Sequence, residues 1–105
     1  MRLASMRILL SKAATNGWEV YADDASMAFL NALRPVDQPL YASYPQGQSN
    51  PGRCLLLKRM LYGLHDAPKG WFDVVVKFLT TSTENGGPGL AQSMSDECVF
   101  FKEGL

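Results

Sequence analysis

Two adjacent carboxylates, Asp23-Asp24, close an apolar alternating run and precede a helix-like stretch. Magnesium-type cations take oxygen ligands, so a carboxylate pair at a strand end can hold one. The same pair can also serve as a solvated turn or as the N-cap of the helix that follows. Phe29 stands five residues past Asp24 and, taken alone, reads as a core phenylalanine. Downstream, Tyr62-Gly63-Leu64-His65-Asp66-Ala67-Pro68 joins a glycine, which lets backbone approach a ligand closely, to a proline suited to open a helix. Lys58, Arg59 and Lys69 flank this block. Such side chains contact phosphates, and they are equally ordinary surface charge. His65 is the only histidine and lacks the partners of metal or nucleophilic catalysis, so it reads as a surface residue. Gly86-Gly87-Pro88-Gly89 lacks the lysine of a phosphate-cradling loop and reads as a flexible break.

The elements that must position these residues follow from periodicity. Leu3, Met6, Leu10 and Ala14 recur at helical spacing, and Asn16-Gly17 supplies a left-handed stop. Residues 18–24 alternate as a strand, with Trp18, Val20 and Ala22 on one face and Glu19, Tyr21 and Asp23 on the other. Helix-like residues resume over 26–33 and end at Pro35. Residues 34–53 are rich in proline and glycine and read as loop, with a short strand at 40–42. Residues 54–62 are apolar around Lys58-Arg59 and fit a strand or a helix start. A helix opens at Pro68 and buries Trp71, Val75, Phe78 and Leu79. Residues 98–102 form a final strand. The order implies an α+β fold, helices packed on a small antiparallel sheet.

Composition narrows the class. Hydrophobic residues are 47% and charged residues 19% of the 105, which suits a single globular domain or a piece of one. Ten basic and ten acidic residues cancel, unlike a free-standing nucleic-acid binder. Cys54 and Cys98 have neither zinc spacing nor disulfide density and are expected to be free thiols in a reducing compartment. No apolar run reaches the ~20 residues of a membrane span. The apolar stretch near the start is too short for a signal peptide, so an intracellular location, cytoplasmic or nuclear, is expected.

Leu61-Tyr62-Gly63-Leu64-His65-Asp66-Ala67-Pro68-Lys69-Gly70-Trp71-Phe72, preceded by Asp24-Ala25-Ser26-Met27-Ala28-Phe29-Leu30-Asn31, resembles two successive blocks of the copia-type retrotransposon reverse transcriptases. Asn16-Gly17-Trp18, Tyr41 with Pro45 and Gly47, and Ser95-Asp96-Glu97-Cys98-Val99-Phe100 fall in the same family order. The likeness runs from about Met6 to Lys102. Tyr21-Ala22-Asp23-Asp24 spells the family's later Tyr-x-Asp-Asp block, but the residues after it match the earlier block instead. The chain departs from the family at Ser26, Met27, Ala32, His65-Asp66 and Lys69-Gly70, and residues 86–89 look inserted.

The resemblance implies a partial polymerase palm and fingers over residues 1–105, cut before the Tyr-x-Asp-Asp block. It implies an RNA-directed DNA polymerase fragment of a polyprotein, with two-metal nucleotidyl transfer in the complete enzyme. Asp24 would be the catalytic, magnesium-binding carboxylate. Phe29, as steric gate, would contact the nucleotide with Tyr62, Gly63 and Pro68, while Lys58, Arg59 and Lys69 would contact nucleic acid. Template-primer, deoxynucleotides and the rest of the polyprotein are the implied partners. The fragment alone, holding one carboxylate block, is expected to be inactive and to bind magnesium weakly or not at all. The alternative is a non-catalytic α+β interaction module derived from a decayed transposon copy.

Overall fold

The computed structural model describes residues 1–48 and 50–103. In chain order its elements are α1 (Leu3–Asn16), β1 (Tyr41–Ala42), β2 (Leu55–Leu56), α2 (Ala67–Thr80), β3 (Ala91–Gln92) and β4 (Phe100–Phe101). Single 3-10 turns occupy Ala28–Asn31 and Thr83–Asn85. This is an α+β chain, with two separate antiparallel ribbons in place of one sheet. The contacts divide it into two compact units, Met1–Ala25 with Val75–Leu105, and Ser26–Val74.

In the first unit, α1 stops as the Asn16-Gly17 pair implies. Gly17 takes the left-handed conformation (φ 64°, ψ 32°), and the N–H groups of Gly17 and Trp18 return to the Ala13 carbonyl. The N-terminus of α1 has no capping side chain of its own. Asp96, far along the chain, does that work. Its Oδ2 accepts the Arg2 N–H (2.7 Å) and the Ser5 hydroxyl (2.6 Å), while Oδ1 accepts the Cys98 N–H (3.0 Å). A carboxylate satisfies the orphan donors of a first helical turn and favours its positive end. The Ser5 hydroxyl, then the Arg2 and Cys98 N–H groups, hold buried Asp96 down at about 2. The expected apolar stripe of α1 is only partly covered: Ala13 is buried, while Leu3, Met6 and Leu10 stay exposed.

Three expectations are corrected in this unit. Residues 18–24 form no strand: among the described residues their one backbone–backbone hydrogen bond runs from the Trp18 N–H back to Ala13. Phe78, expected in the buried stripe of α2, is exposed. The Gly86–Gly89 stretch is a tied turn and not a break. The N–H groups of Gly87, Gly89 and Leu90 reach the carbonyls of Ser82, Thr81 and Leu79. A Cβ on Gly87 would meet the Thr81 carbonyl oxygen at 2.3 Å, so the turn requires glycine there. The turn leads to β3, where Ala91 lies opposite Phe101 and Gln92 opposite Phe100.

In the second unit, β1 and β2 pair antiparallel, Tyr41 opposite Leu56, and the Leu57 N–H extends the ladder to Leu40. Within residues 54–62 the structure has strand at Leu55–Leu56, a single bridge at Arg59 and no helix. The helix expected over 26–33 shrinks to Ala28–Asn31 because extended pairing takes over. Ala32 accepts the Met60 N–H, Arg34 donates to Lys58, and Leu33 bridges Arg59. A small core of Ala32, Met60 and Ala67, with Phe29, Leu64 and Val74 against it, sits where these segments meet the start of α2. Gly70 admits Met60: a Cβ there would lie 2.7 Å from the Met60 methyl.

Candidate functional site

Asp23 and Asp24 lie in the first unit, and the other candidates lie in the second. Both carboxylates are exposed, and the Asp24 N–H donates to Asp23 Oδ1 (2.9 Å). That contact turns the Asp23 side chain back on the backbone and leaves the Asp24 carboxylate without a protein hydrogen bond among the described residues. A magnesium ion wants about six oxygens in near-octahedral array. No group of three His, Cys, Asp or Glu residues able to hold a metal occurs among the described residues.

In the second unit Phe29 and Tyr62 come together. Their ring centroids are 4.6 Å apart with planes tilted 45°, a spacing at which aromatic pairs attract. Each ring is presented by a tight local turn. Met27 adopts φ 51°, ψ 45° ahead of Ala28–Asn31, and the Asn31 amide donates to the carbonyls of Ser26 and Met27, closing that turn. Opposite, the Leu64 N–H returns to the Leu61 carbonyl, with Gly63 at φ 91° in the third position of the turn. Only glycine takes that conformation without strain. Tyr62 is left exposed beside half-buried Phe29. Pro68 lies in the first turn of α2, one residue after Ala67.

The basic candidates differ in freedom. Arg59 donates to the Leu30 carbonyl (3.0 Å), which ties its strand to the Phe29 turn. A guanidinium has five N–H donors, so this bond does not exhaust it. Lys69 lies 3.8 Å from Asp73 one helical turn on, a solvated pair. Lys58 is exposed and lends its carbonyl to Arg34. His65 is exposed too, as expected.

Sequence reasoning missed Arg34. Its guanidinium is buried, with Nη1 at 3.1 Å from both oxygens of Asp66 and 3.6 Å from the Met60 sulfur, and Nη2 reaching the Gln38 carbonyl. An acidic residue beside nucleic acid would repel phosphate; here the arginine neutralises it. Thirty-two residues separate the pair, so no local spacing signals it. Cys54 and Cys98 are both free thiols.

The family model for reverse transcriptase (RNA-dependent DNA polymerase) matches residues 1–89. The chain belongs to that family. Among curated relatives it is 30% identical over 105 residues to the retrovirus-related Pol polyprotein from transposon TNT 1-94 of Nicotiana tabacum. That alignment covers 97% of this chain and 7% of the relative. It is 30% and 28% identical over 103 residues to the corresponding polyproteins of transposons RE1 and RE2 of Arabidopsis thaliana, covering 95% of this chain and 6% of each relative. These relatives bear out the copia-type resemblance. The chain thus spans a small fraction of the polyproteins it matches. No solved structure matches it. Among the described residues no helix is long and apolar enough to cross a membrane.

Proposed function

We propose that this chain is a palm-and-fingers segment of an RNA-directed DNA polymerase, working only within the complete polyprotein. The observation that carries this reading is the Phe29–Tyr62 ring pair, seated between two tight turns in a chain of the reverse transcriptase family. Asp24 would be one carboxylate ligand of the magnesium ions, whose role in such enzymes is to activate the primer hydroxyl and stabilise the leaving pyrophosphate. Phe29 crowds the 2′ position of an incoming sugar, with Tyr62 and Gly63 beside it. Pro68 sets the start of α2, and Lys58, Arg59 and Lys69 hold template or primer phosphates. The chain alone would not synthesise DNA, a reading supported by the lack, among the described residues, of three grouped His, Cys, Asp or Glu side chains able to hold a metal.

Primer extension on an RNA template, with magnesium and deoxynucleotides, tests this. The complete polymerase segment should extend the primer, and residues 1–105 alone should not. In the complete segment Asp24→Asn should abolish synthesis and Asp23→Asn should only reduce it. Full activity in Asp24→Asn would overturn the assignment.

A further inference from the structure

The turn that carries Phe29 is fastened from two sides. Locally, the Leu30 N–H returns to the Met27 carbonyl, the Ala32 N–H returns to the Phe29 carbonyl, and the Asn31 amide closes on Ser26 and Met27. From a distant part of the chain, the Arg59 guanidinium donates through Nη1 to the Leu30 carbonyl at 3.0 Å, across a separation of 29 residues. Among the described residues, Arg59 is the one side chain from outside the turn that hydrogen-bonds to residues 26–32. A bond whose donor is ionised is stronger than one between neutral groups. The Arg59 backbone is itself fixed: it bridges Leu33, and its neighbours Lys58 and Met60 pair with Arg34 and Ala32. Tyr62 follows on the same segment, its ring centroid 4.6 Å from that of Phe29. Tyr62 is 65% exposed, so burial does little to hold the two rings together.

We propose that Arg59 is a positioning residue: through the Leu30 carbonyl it holds the Phe29 ring against Tyr62, and so sets how strictly Phe29 excludes a ribose. The inference rests on the reading of Phe29 as the sugar gate. A displacement of about 1 Å in a positioning group changes rates by as much as ~100-fold, so the loss of one tether is enough to loosen a steric filter. The role stands beside a phosphate contact and does not replace it. No carboxylate pairs with Arg59 among the described residues, and a guanidinium has five N–H donors, so one holds the carbonyl while others stay available to a phosphate. Lys58 is exposed and Lys69 pairs with Asp73 on its own helix, and neither side chain reaches the turn among the described residues. Arg59 is thus set apart from the other two basic candidates by geometry, although all three carry the same charge.

Two measurements test the proposal. In the 105-residue chain, nuclear Overhauser contacts between the Phe29 and Tyr62 rings should be present. Arg59→Met should lose them, and Lys58→Met, which removes the same charge, should keep them. In the complete polymerase segment, Arg59→Met should raise ribonucleotide incorporation relative to deoxynucleotide by roughly 10-fold. Lys58→Met should raise the KM for template-primer without moving that ratio. Adding Arg59→Met to Phe29→Val should not raise the ratio beyond Phe29→Val alone, because effects on one shared wall do not add. Ring contacts absent from the wild-type chain, persisting in Arg59→Met or lost equally in Lys58→Met would each overturn the proposal. So would a wild-type ratio in Arg59→Met where Phe29→Val has changed it, which leaves Arg59 a phosphate contact alone. The ring contacts do not depend on DNA synthesis. Their loss in Arg59→Met, with a ratio that Phe29→Val does not move, refutes the gate and leaves the hold of Arg59 on the Phe29 ring standing.

Discussion

Arg34 Nη1 lies 3.1 Å from each carboxylate oxygen of Asp66, joining the segment after the Phe29 turn to the residue just before α2. Both candidate turns, one bearing Phe29 and the other Tyr62, are flanked by this tie. The guanidinium is buried and its Nε has no partner among the described residues, so Asp66 is its main compensation.

Removing that compensation should therefore destabilise the second unit. Asp66→Asn leaves a buried cation facing a neutral amide and should cost about 1–3 kcal/mol, the range for stripping a partner from a buried polar group. Adding Arg34→Met should restore part of the loss, because methionine fills the space without a charge to bury. Urea denaturation of the two single variants and the double variant measures the coupling. Strictly additive losses would show that the pair is incidental.

A different carboxylate sets an acid dependence. Asp96 is held at about 2, below its ordinary 3.8, by the Ser5 hydroxyl first and then by the Arg2 and Cys98 N–H groups. A lowered folded value means that its stabilisation is complete above about 4 and is lost as pH falls towards about 2. Asp96→Asn should lower the Tm at pH 6 and flatten its decline between pH 4 and 2. Ser5→Ala should shrink that decline and end it at a higher pH, because the folded value then rises towards the ordinary 3.8. An unchanged acid profile in Asp96→Asn would remove this carboxylate from the account of how α1 is held.

Met27 offers a gain. It is the one non-glycine described in the left-handed region, at φ 51°, which costs a residue with a Cβ roughly 1–2 kcal/mol. Asparagine tolerates this conformation better than methionine, and Met27 is exposed, so little packing is lost. Met27→Asn should raise the Tm by a few degrees, about the shift expected for a gain under 1 kcal/mol. A lower Tm would mean that the methionine side chain contributes packing beyond its exposed position.

What could be read from the sequence was local. The helical stripe with Asn16-Gly17 located α1, and Pro68 with Trp71 located α2. Residues 40–42 and 98–102 each contain a strand, Tyr41–Ala42 and Phe100–Phe101, because apolar pattern and flanking turns mark them, though Cys98 lies in a turn. Residues 18–24 have the pattern of a strand, but pairing depends on a partner, which a pattern does not contain. The Arg34–Asp66 tie and the fit of Met60 against Gly70 were equally invisible, since both join residues far apart in the chain. Phe29 and Tyr62 were each singled out by resemblance, yet their ring contact depends on two tight turns. One of those turns rests on Met27, whose conformation nothing in its residue type announces.

The Phe29–Tyr62 contact yields the sharpest test of the proposed pocket. Phe29 is half-buried against Ala32, Met60 and Ala67 on one side and meets the Tyr62 ring on the other. On the proposed reading, a ring fixed in this way would reject a larger sugar by steric exclusion. In the complete polymerase segment, Phe29→Val should increase ribonucleotide incorporation relative to deoxynucleotide. Tyr62→Leu removes only the outer support, so it should shift the ratio the same way by less. If Phe29 were core packing alone, Phe29→Val would lower stability by roughly 1–3 kcal/mol and leave the ratio unchanged. Both quantities are measured on the same variants, by competitive primer extension and by thermal melting. A well-folded Phe29→Val polymerase with the wild-type ratio would exclude the gate. A changed ratio in Phe29→Val but not in Tyr62→Leu would keep the gate and show that Tyr62 does not support it.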